Sequence, residues 1–318
     1  MILIVTNERD LTSDYVVLEL RRRGLPFHRL NSERFSEAMV SFDPRRGEDS
    51  WIVEFDGTAI EFVTIKAAYF RRPGIPSAPE AVKQGAARRY CEVEWGAALA
   101  SALTSLGARW LNSPLAILAA ENKPRQLSIA YDLGFAIPDT LVTNDFKRAQ
   151  SFLSEGASVV KPLREALLEE NEKERVIFTN RLDELVGADK GRVVAAPIIF
   201  QREIQKHSDI RATVVGNAVY TAEILSQEHD ETMTDWRRGS RPDLPHKPHE
   251  LPNDLYTKCV SIVQRLGLRF GAVDLILDKS GSYWFLEVNP NGQWAWIENR
   301  TGLPLTKAIV DELERISA

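Results

Sequence analysis

Cysteine is scarce. Cys91 and Cys259 are the only two in 318 residues, 168 positions apart and without CxxC spacing. Neither a disulfide framework nor a thiolate metal centre is expected, and both read as packing residues. Long apolar runs are also missing. None approaches the roughly 20 residues that span a bilayer, and MILIVTNERD has no basic region leading into a long apolar stretch. A cytoplasmic location with no membrane partner is therefore expected. Basic residues are not in excess: Lys plus Arg is 40 against Asp plus Glu at 45, a net charge of −5, so no nucleic-acid partner is expected. GxxxxGK[ST] and GxGxxG do not occur, which excludes a P-loop, a Rossmann fingerprint and a kinase Gly-rich loop. There is no GxSxG or HExxH either. The histidines of HKPH, 246–249, flank a proline and read as solvated loop rather than metal ligands.

What is present is ordinary for a folded chain: 44% hydrophobic and 27% charged residues, with length for two or three domains. ILIVT, a polar turn and YVVLELRRRG ending at Gly24 open as strand, turn and helix. Strands are predicted at 27–30, 51–55, 59–63 and 67–71, then a long helix over 79–106. Residues 1–111 read as one small α/β domain. From 112 to 195 a second α+β unit alternates strand with helix, and REALLEENEKER at 164–175 reads as a solvated acidic turn or helix end. From 196 to 318, the runs IIFQREI, IRATVVG, AVYTAEIL, GAVDLILD and YWFLEVN predict an antiparallel sheet.

The segment GAVDLILDKSGSYWFLEVNPNG, 271–292, carries the most chemistry. A two- or four-residue loop at KSGS sets Asp274 opposite Glu287 and Ala272 opposite Asn289. Directly opposed Cβ atoms lie about 4.5–5.5 Å apart, where two bare carboxylates repel, so a positive charge is expected between them. Two carboxylates and a carboxamide on one face are a hard oxygen set that suits Mg²⁺, with phosphate oxygens and waters completing the shell. The bland alternative pairs one acid with Arg or Lys and leaves the other in solvent. Elsewhere, Asn122 and Pro124 suit a helix start and put Lys123 at its positive end, an unfavourable place that an anion would relieve. Lys161 closes the apolar strand SVVK before a proline. With Lys123 it forms a pair of point charges suited to phosphate.

Lys123 opening a helix, VVKP at 159–162, QREI at 201–204, SDIRATVVG at 208–216, Asp274 and FLEVNPNGQW at 285–294 occur in an order that resembles the ATP-grasp ligases over residues 112–318. FRRPGIP at 70–76, IPDTLVTND at 137–145, TDWR at 234–237 and EVNPNGQWAWIE at 287–298 extend the resemblance to the microviridin-type peptide maturases, the graspetide synthetases. The resemblance implies an ATP-grasp fold behind an N-terminal pre-ATP-grasp α/β domain. It implies phosphate contacts from Lys123 and Lys161, adenine contacts from the backbones of Gln201 and Ile204, and ribose contacts from Asp209. Mg²⁺ would be held by Asp274, Glu287 and Asn289, and Arg211 would face the γ-phosphate. The glycine-free PLREALLEE at 162–170 departs from the family's Gly-rich phosphate flap.

In that chemistry a substrate carboxylate takes the γ-phosphoryl group of ATP and an amine or hydroxyl captures the acyl phosphate. Alignment and charge neutralisation do the work, so a missing nucleophile triad is consistent. Arg237 suits a clamp on the substrate carboxylate or a solvated loop position, and Arg71 and Arg72, extended before Pro73, suit the substrate side. The implied partner is a ribosomal leader–core precursor peptide, acted on by a homodimer that closes ω-ester or ω-amide links. Two rivals remain: a RimK-like ligase adding an amino acid to a protein or small acid, and a non-catalytic nucleotide- or peptide-binding partner.

Overall fold

The computed structural model describes residues 1–55, 57–164, 167–170, 173–238 and 244–318. The chain divides into two compact units, one of residues 1–117, 267–270 and 291–318, the other of 118–266 and 271–290.

The first unit begins with β1 (Ile2–Thr6), α1 (Leu11–Arg22) and β2 (Phe27–Asn31), followed by β3 (Met39–Ser41), β4 (Ile52–Phe55), β5 (Thr58–Glu61) and β6 (Ala67–Phe70). The order β2-β1-β6 is wholly parallel, as the α/β reading requires, and β3-β4-β5 is an antiparallel meander. The long helix is shorter than its pattern. α2 runs Ala86–Thr104, because Gly85 at φ +129° stands at its start, so 79–85 does not join it. The core joins Leu3, Val5, Phe35, Phe62 and Trp110 to the α2 residues Leu99 and Leu103. α3 (Pro114–Ala120) leads into the second unit.

There α4 (Lys123–Asp132), β7 (Thr140–Thr143), α5 (Phe146–Ser154), β8 (Ser158–Lys161), β9 (Leu167–Glu170), β10 (Lys173–Val176), β11 (Asn180–Leu182), α6 (Lys190–Ala195) and β12 (Ile198–Arg202) come first. The antiparallel sheet β11-β8-β12-β7 covers a core of Phe200, Leu153, Val193 and Leu185. β9 and β10 form an antiparallel hairpin where an acidic turn or helix end was predicted. Positions 165–166 and 171–172 of that stretch lie outside the described residues. IIFQREI also departs from expectation. It supplies β12, between β8 and β7, because alternation marks a strand without saying which sheet it joins.

β13 (Lys206–Val215), β14 (Ala218–Ile224), β15 (His246–Pro248), α7 (Asn253–Arg265), β16 (Phe270–Asp278) and β17 (Tyr283–Asn289) follow, with sheet order β15-β14-β13-β16-β17. α7 packs on this sheet. A Cβ on Gly271 would meet Val263 at 3.0 Å and Val288 at 3.1 Å, so glycine permits the close approach. Cys259, buried on α7, has its thiol pushed up to about 12 by burial, which keeps it an inert packing group. The chain then returns to the first unit as α8 (Ala295–Thr301) and α9 (Leu305–Ser317), where Arg23 bonds Asp311 at 2.7 Å and also pairs with Glu314.

The β16–β17 hairpin sets the register of the two acids by a route that differs from the one predicted. Asp278 N donates to Ser282 O and Gly281 N to Asp278 O. This closes a three-residue loop with Gly281 at φ +87°, a common form in which glycine takes the left-handed position. Leu277 then pairs with Tyr283 and Leu275 with Phe285, but Asp274 pairs with Glu287 and Ala272 with Asn289. Leu286 is the extra residue of a β-bulge. The odd loop and the bulge shift the register in opposite senses and cancel at the two acids.

Candidate active site

The second unit holds a cleft of about 340 Å³, a size suited to a small-molecule ligand. Lys123, Lys161, Gln201, Ile204, Asp209, Arg237, Asp274 and Glu287 line it, while Arg211 and Asn289 do not.

α4 places Lys123. The Asn122 carboxamide accepts from Arg125 N at 3.0 Å and Pro124 occupies the first turn. The ammonium at the helix start lies 3.2 Å from Glu287 Oε2 and donates to Pro162 O at 3.2 Å. The anion that offsets an unfavourable helix position is thus, in part, the protein's own. Across the cleft, Lys161 at the end of β8 donates to Gln201 Oε1 at 2.7 Å, and Gln201 Nε2 donates to Thr140 Oγ1 at 2.9 Å. The Gln201 side chain therefore faces Lys161, while its backbone lies in the sheet between Thr140 and Val159. Ile204 sits beyond the end of β12.

Burial pulls the Lys161 ammonium down to about 8 against an opposing pull from Glu287. The unfolded chain keeps that proton to about pH 10.4. Between pH 8 and 10 the unfolded state therefore binds more protons, and stability rises with pH in that window. Lys161→Met is expected to remove about 1–3 kcal/mol of this rise, read from urea midpoints of both proteins at pH 8 and pH 10. Equal slopes would show that Lys161 is not desolvated.

Arg211 on β13 is buried behind Asp274. Its Nη1 donates to Asp274 Oδ1 at 2.7 Å and to Oδ2 at 2.8 Å, while its buried Nε has no hydrogen bond. Burial pushes the Asp274 carboxyl up, opposed by Arg211 and reinforced by the neighbouring Glu287. Burial also acts to raise Glu287, but Lys123, Arg237 and Lys161 outweigh it and hold that carboxyl below its ordinary value. Each acid thus has its own cation, Arg211 for Asp274 and Lys123 for Glu287. Two partly buried, register-opposed carboxylates with Asn289 on the same face fit Mg²⁺ as donors. Among the described residues no cluster of three His, Cys, Asp or Glu is placed to hold a metal, so the remaining oxygens would come from the carboxamide, nucleotide and water.

Arg237 leans on Asp235, donating through Nε at 2.8 Å and Nη2 at 2.7 Å. Burial acts against ionised Asp235, but Arg237 and the Thr179 amide hold its carboxyl well below the usual range. Sequence reasoning missed Lys206, Asp235 and Thr140. Lys206 opens β13 without any motif, and Asp235 lies inside TDWR beside the arginine singled out.

Two expectations are corrected. Arg71 is fully buried and cannot reach substrate. Its Nη1 donates to Asn291 O, to Asn291 Oδ1 at 3.1 Å and to Gly292 O at 3.2 Å, holding the loop after Pro290. Arg72, at φ +42°, has the Gln293 amide oxygen at 2.8 and 3.2 Å when that carboxamide is turned towards it. His249 is not solvated, because Glu223 Oε2 lies 3.2 Å from Nδ1 and Tyr283 Oη 2.8 Å from Nε2.

A four-stranded antiparallel sheet carrying Lys161 and Gln201, a second sheet carrying opposed acids, and a helix-start lysine around one cleft define the ATP-grasp class. Residues 120–313 match the family model described as RimK-like ATP-grasp domain, and the chain belongs to that family. No curated protein matches it in sequence. Among solved structures it is similar to the RiPP-associated ATP-grasp ligase of Chryseobacterium gregarium in complex with ADP and a leader and core peptide, at 27% identity over 99% of this chain and 96% of that one, with a TM-score of 0.88. It is similar to the macrocyclase MdnC of Microcystis aeruginosa MRC bound with precursor peptide MdnA, at 25% identity over 99% of both chains and a TM-score of 0.82. It also resembles the ATP-grasp ligase PsnB complexed with minimal precursor, Mg and ADP, at 25% identity over 100% of this chain and 97% of that one, TM-score 0.77. The chain is an ATP-grasp ligase, and two of the ligases it resembles are complexed with ADP, PsnB with Mg as well.

Proposed function

We propose that the chain is a graspetide synthetase of the microviridin type, closing ω-ester or ω-amide links in a ribosomal precursor peptide. The observation that carries this reading is the cleft with its opposed acids and paired lysines, in a chain whose likeness to a RiPP-associated ligase extends over 99% of its length.

An Asp or Glu side-chain oxygen of the peptide attacks the γ-phosphorus and ADP leaves. A Ser, Thr or Lys side chain then attacks the acyl phosphate carbonyl, losing its proton, and inorganic phosphate leaves. Lys123 and Lys161 hold phosphate oxygens, Asp209 takes the ribose hydroxyls, and Gln201 and Ile204 border the base. Arg211 fixes Asp274 from behind. Arg237, pinned on Asp235, offers its free guanidinium edge to the substrate carboxylate. Asp274, Glu287 and Asn289 would hold Mg²⁺, which when bound neutralises developing phosphate charge.

The working form is a cytoplasmic homodimer without nucleic-acid or membrane partners. Support comes from the net charge of −5 and, for self-association, from the exposed Tyr90, Val93 and Leu115 of the first unit. No described helix is long and apolar enough to cross a membrane.

The test begins with neighbouring open reading frames encoding a short peptide rich in Thr, Ser, Asp and Glu. With that peptide, ADP release is expected together with a product lighter by one water per link. ADP release stimulated by free glutamate without peptide would instead establish the amino-acid-adding reaction.

A further inference from the structure

We propose that Lys206 is a positioning residue, coupling the ribose end of the nucleotide site to the segment that carries Arg237. The inference rests on the ribose role given to Asp209 above. The Lys206 side chain is 11% exposed. Its ammonium donates to Asp209 Oδ1 at 3.0 Å and Oδ2 at 3.2 Å, and to the Thr234 carbonyl at 3.0 Å. Thr234 is joined directly to Asp235, whose carboxylate accepts from Thr179 N at 3.1 Å and from Arg237 through Nε and Nη2. A continuous path therefore runs from the Asp209 carboxylate through an ammonium, a peptide carbonyl and a second carboxylate to a guanidinium.

Lys206, Asp209 and Asp235 are largely shielded from water, where polar contacts are strongest, and only the Arg237 end of the path is exposed. A carboxylate has about four acceptor sites, so Asp209 can take ribose hydroxyls and keep Lys206. Ribose occupancy then orders Asp209, Asp209 orders the ammonium, and the ammonium holds Thr234 and with it the base of Arg237. Without the lysine, Asp209 loses its cation and the 232–238 segment loses its tie to β13. Nucleotide recognition and substrate-arginine placement then become independent.

The test compares ADP with 2′,3′-dideoxyADP, both with Mg²⁺, on wild type, Lys206→Met and Lys206→Arg. Affinity and amide hydrogen exchange over 232–238 are read together. In wild type, ADP is expected to bind at least about fivefold more tightly than the dideoxy analogue, a coupling within the usual range, and to slow exchange in 232–238 by a similar factor more. In Lys206→Met the two nucleotides leave that segment exchanging alike, and Lys206→Arg restores the difference. If wild type binds both nucleotides equally, the ribose role of Asp209 fails and the coupling falls with it. If wild type discriminates but Lys206→Met retains the ADP-specific slowing, Asp209 keeps its role and the coupling alone is overturned. Faster exchange throughout Lys206→Met with the ADP-specific slowing intact would mark a purely structural lysine and also overturns it. Should Lys206→Met not fold, Lys206→Gln, neutral and too short to span both partners, carries the same comparison.

Discussion

Glu287→Gln is expected to abolish ADP formation, by about a thousandfold or more, in a chain that keeps its fold. The carboxylate is opposed in register to Asp274 and lies 3.2 Å from the Lys123 ammonium. Lys123, Arg237 and Lys161 together hold it ionised in spite of burial. Glutamine preserves the shape but removes the charge. Lys123 is left at a helix start without its anion, and the metal would face one carboxylate instead of two. Loss of one preorganised electrostatic group at a reacting centre costs about 10²–10³ in rate, and here the same group also pairs with Lys123. Stability should fall by only about 1 kcal/mol, since no cavity opens and the strand pairing is untouched. A coupled ADP assay with precursor, beside circular dichroism, checks both parts. Near-wild-type turnover would remove Glu287 from the metal site.

The second large effect is on stability. Arg211→Met breaks a buried pair and leaves Asp274 without its two-oxygen contact. Breaking such a pair from one side costs about 3–5 kcal/mol, and turnover should be lost as well. Burial already pushes the Asp274 carboxyl upward. Without Arg211 it takes up a proton more readily, which holds the cost near about 3 kcal/mol. Arg211→Met/Asp274→Asn should recover most of the lost stability but no activity. Urea unfolding distinguishes these outcomes. A single variant within about 0.5 kcal/mol of wild type would show that the pair is solvated.

These expectations depend on how much the sequence reveals. The acid pair was legible because a hairpin's side-chain period of two leaves few registers, and the loop and bulge errors happened to cancel at Asp274 and Glu287. Lys123 was legible from Asn122 and Pro124, which mark a helix start locally. IIFQREI reads as a strand, but its alternation says nothing of neighbours distant in sequence, and it pairs with β7 and β8 rather than with the C-terminal sheet. Lys206 was invisible for a related reason: its partner Asp209 is three residues away, but its meaning lies in the carbonyl of Thr234. Arg71 looks available because an arginine pair running into Pro73 reads as an extended, exposed segment, although Arg72 itself stands at φ +42°. Only the fold shows that Arg71 is fully buried, with Nη1 donating to Asn291 and Gly292.

The compensated hairpin bears on inheritance. A descendant that loses one residue from the Lys279–Gly281 turn while keeping Leu286 would slide one acid past the other and turn Glu287 to the wrong side of the pleat, although every motif letter survived. Turn length and bulge must therefore change together or not at all. Gaps at these two places in related genes should arise as matched events, and a lineage showing only one of them will have lost the chemistry without losing the signature.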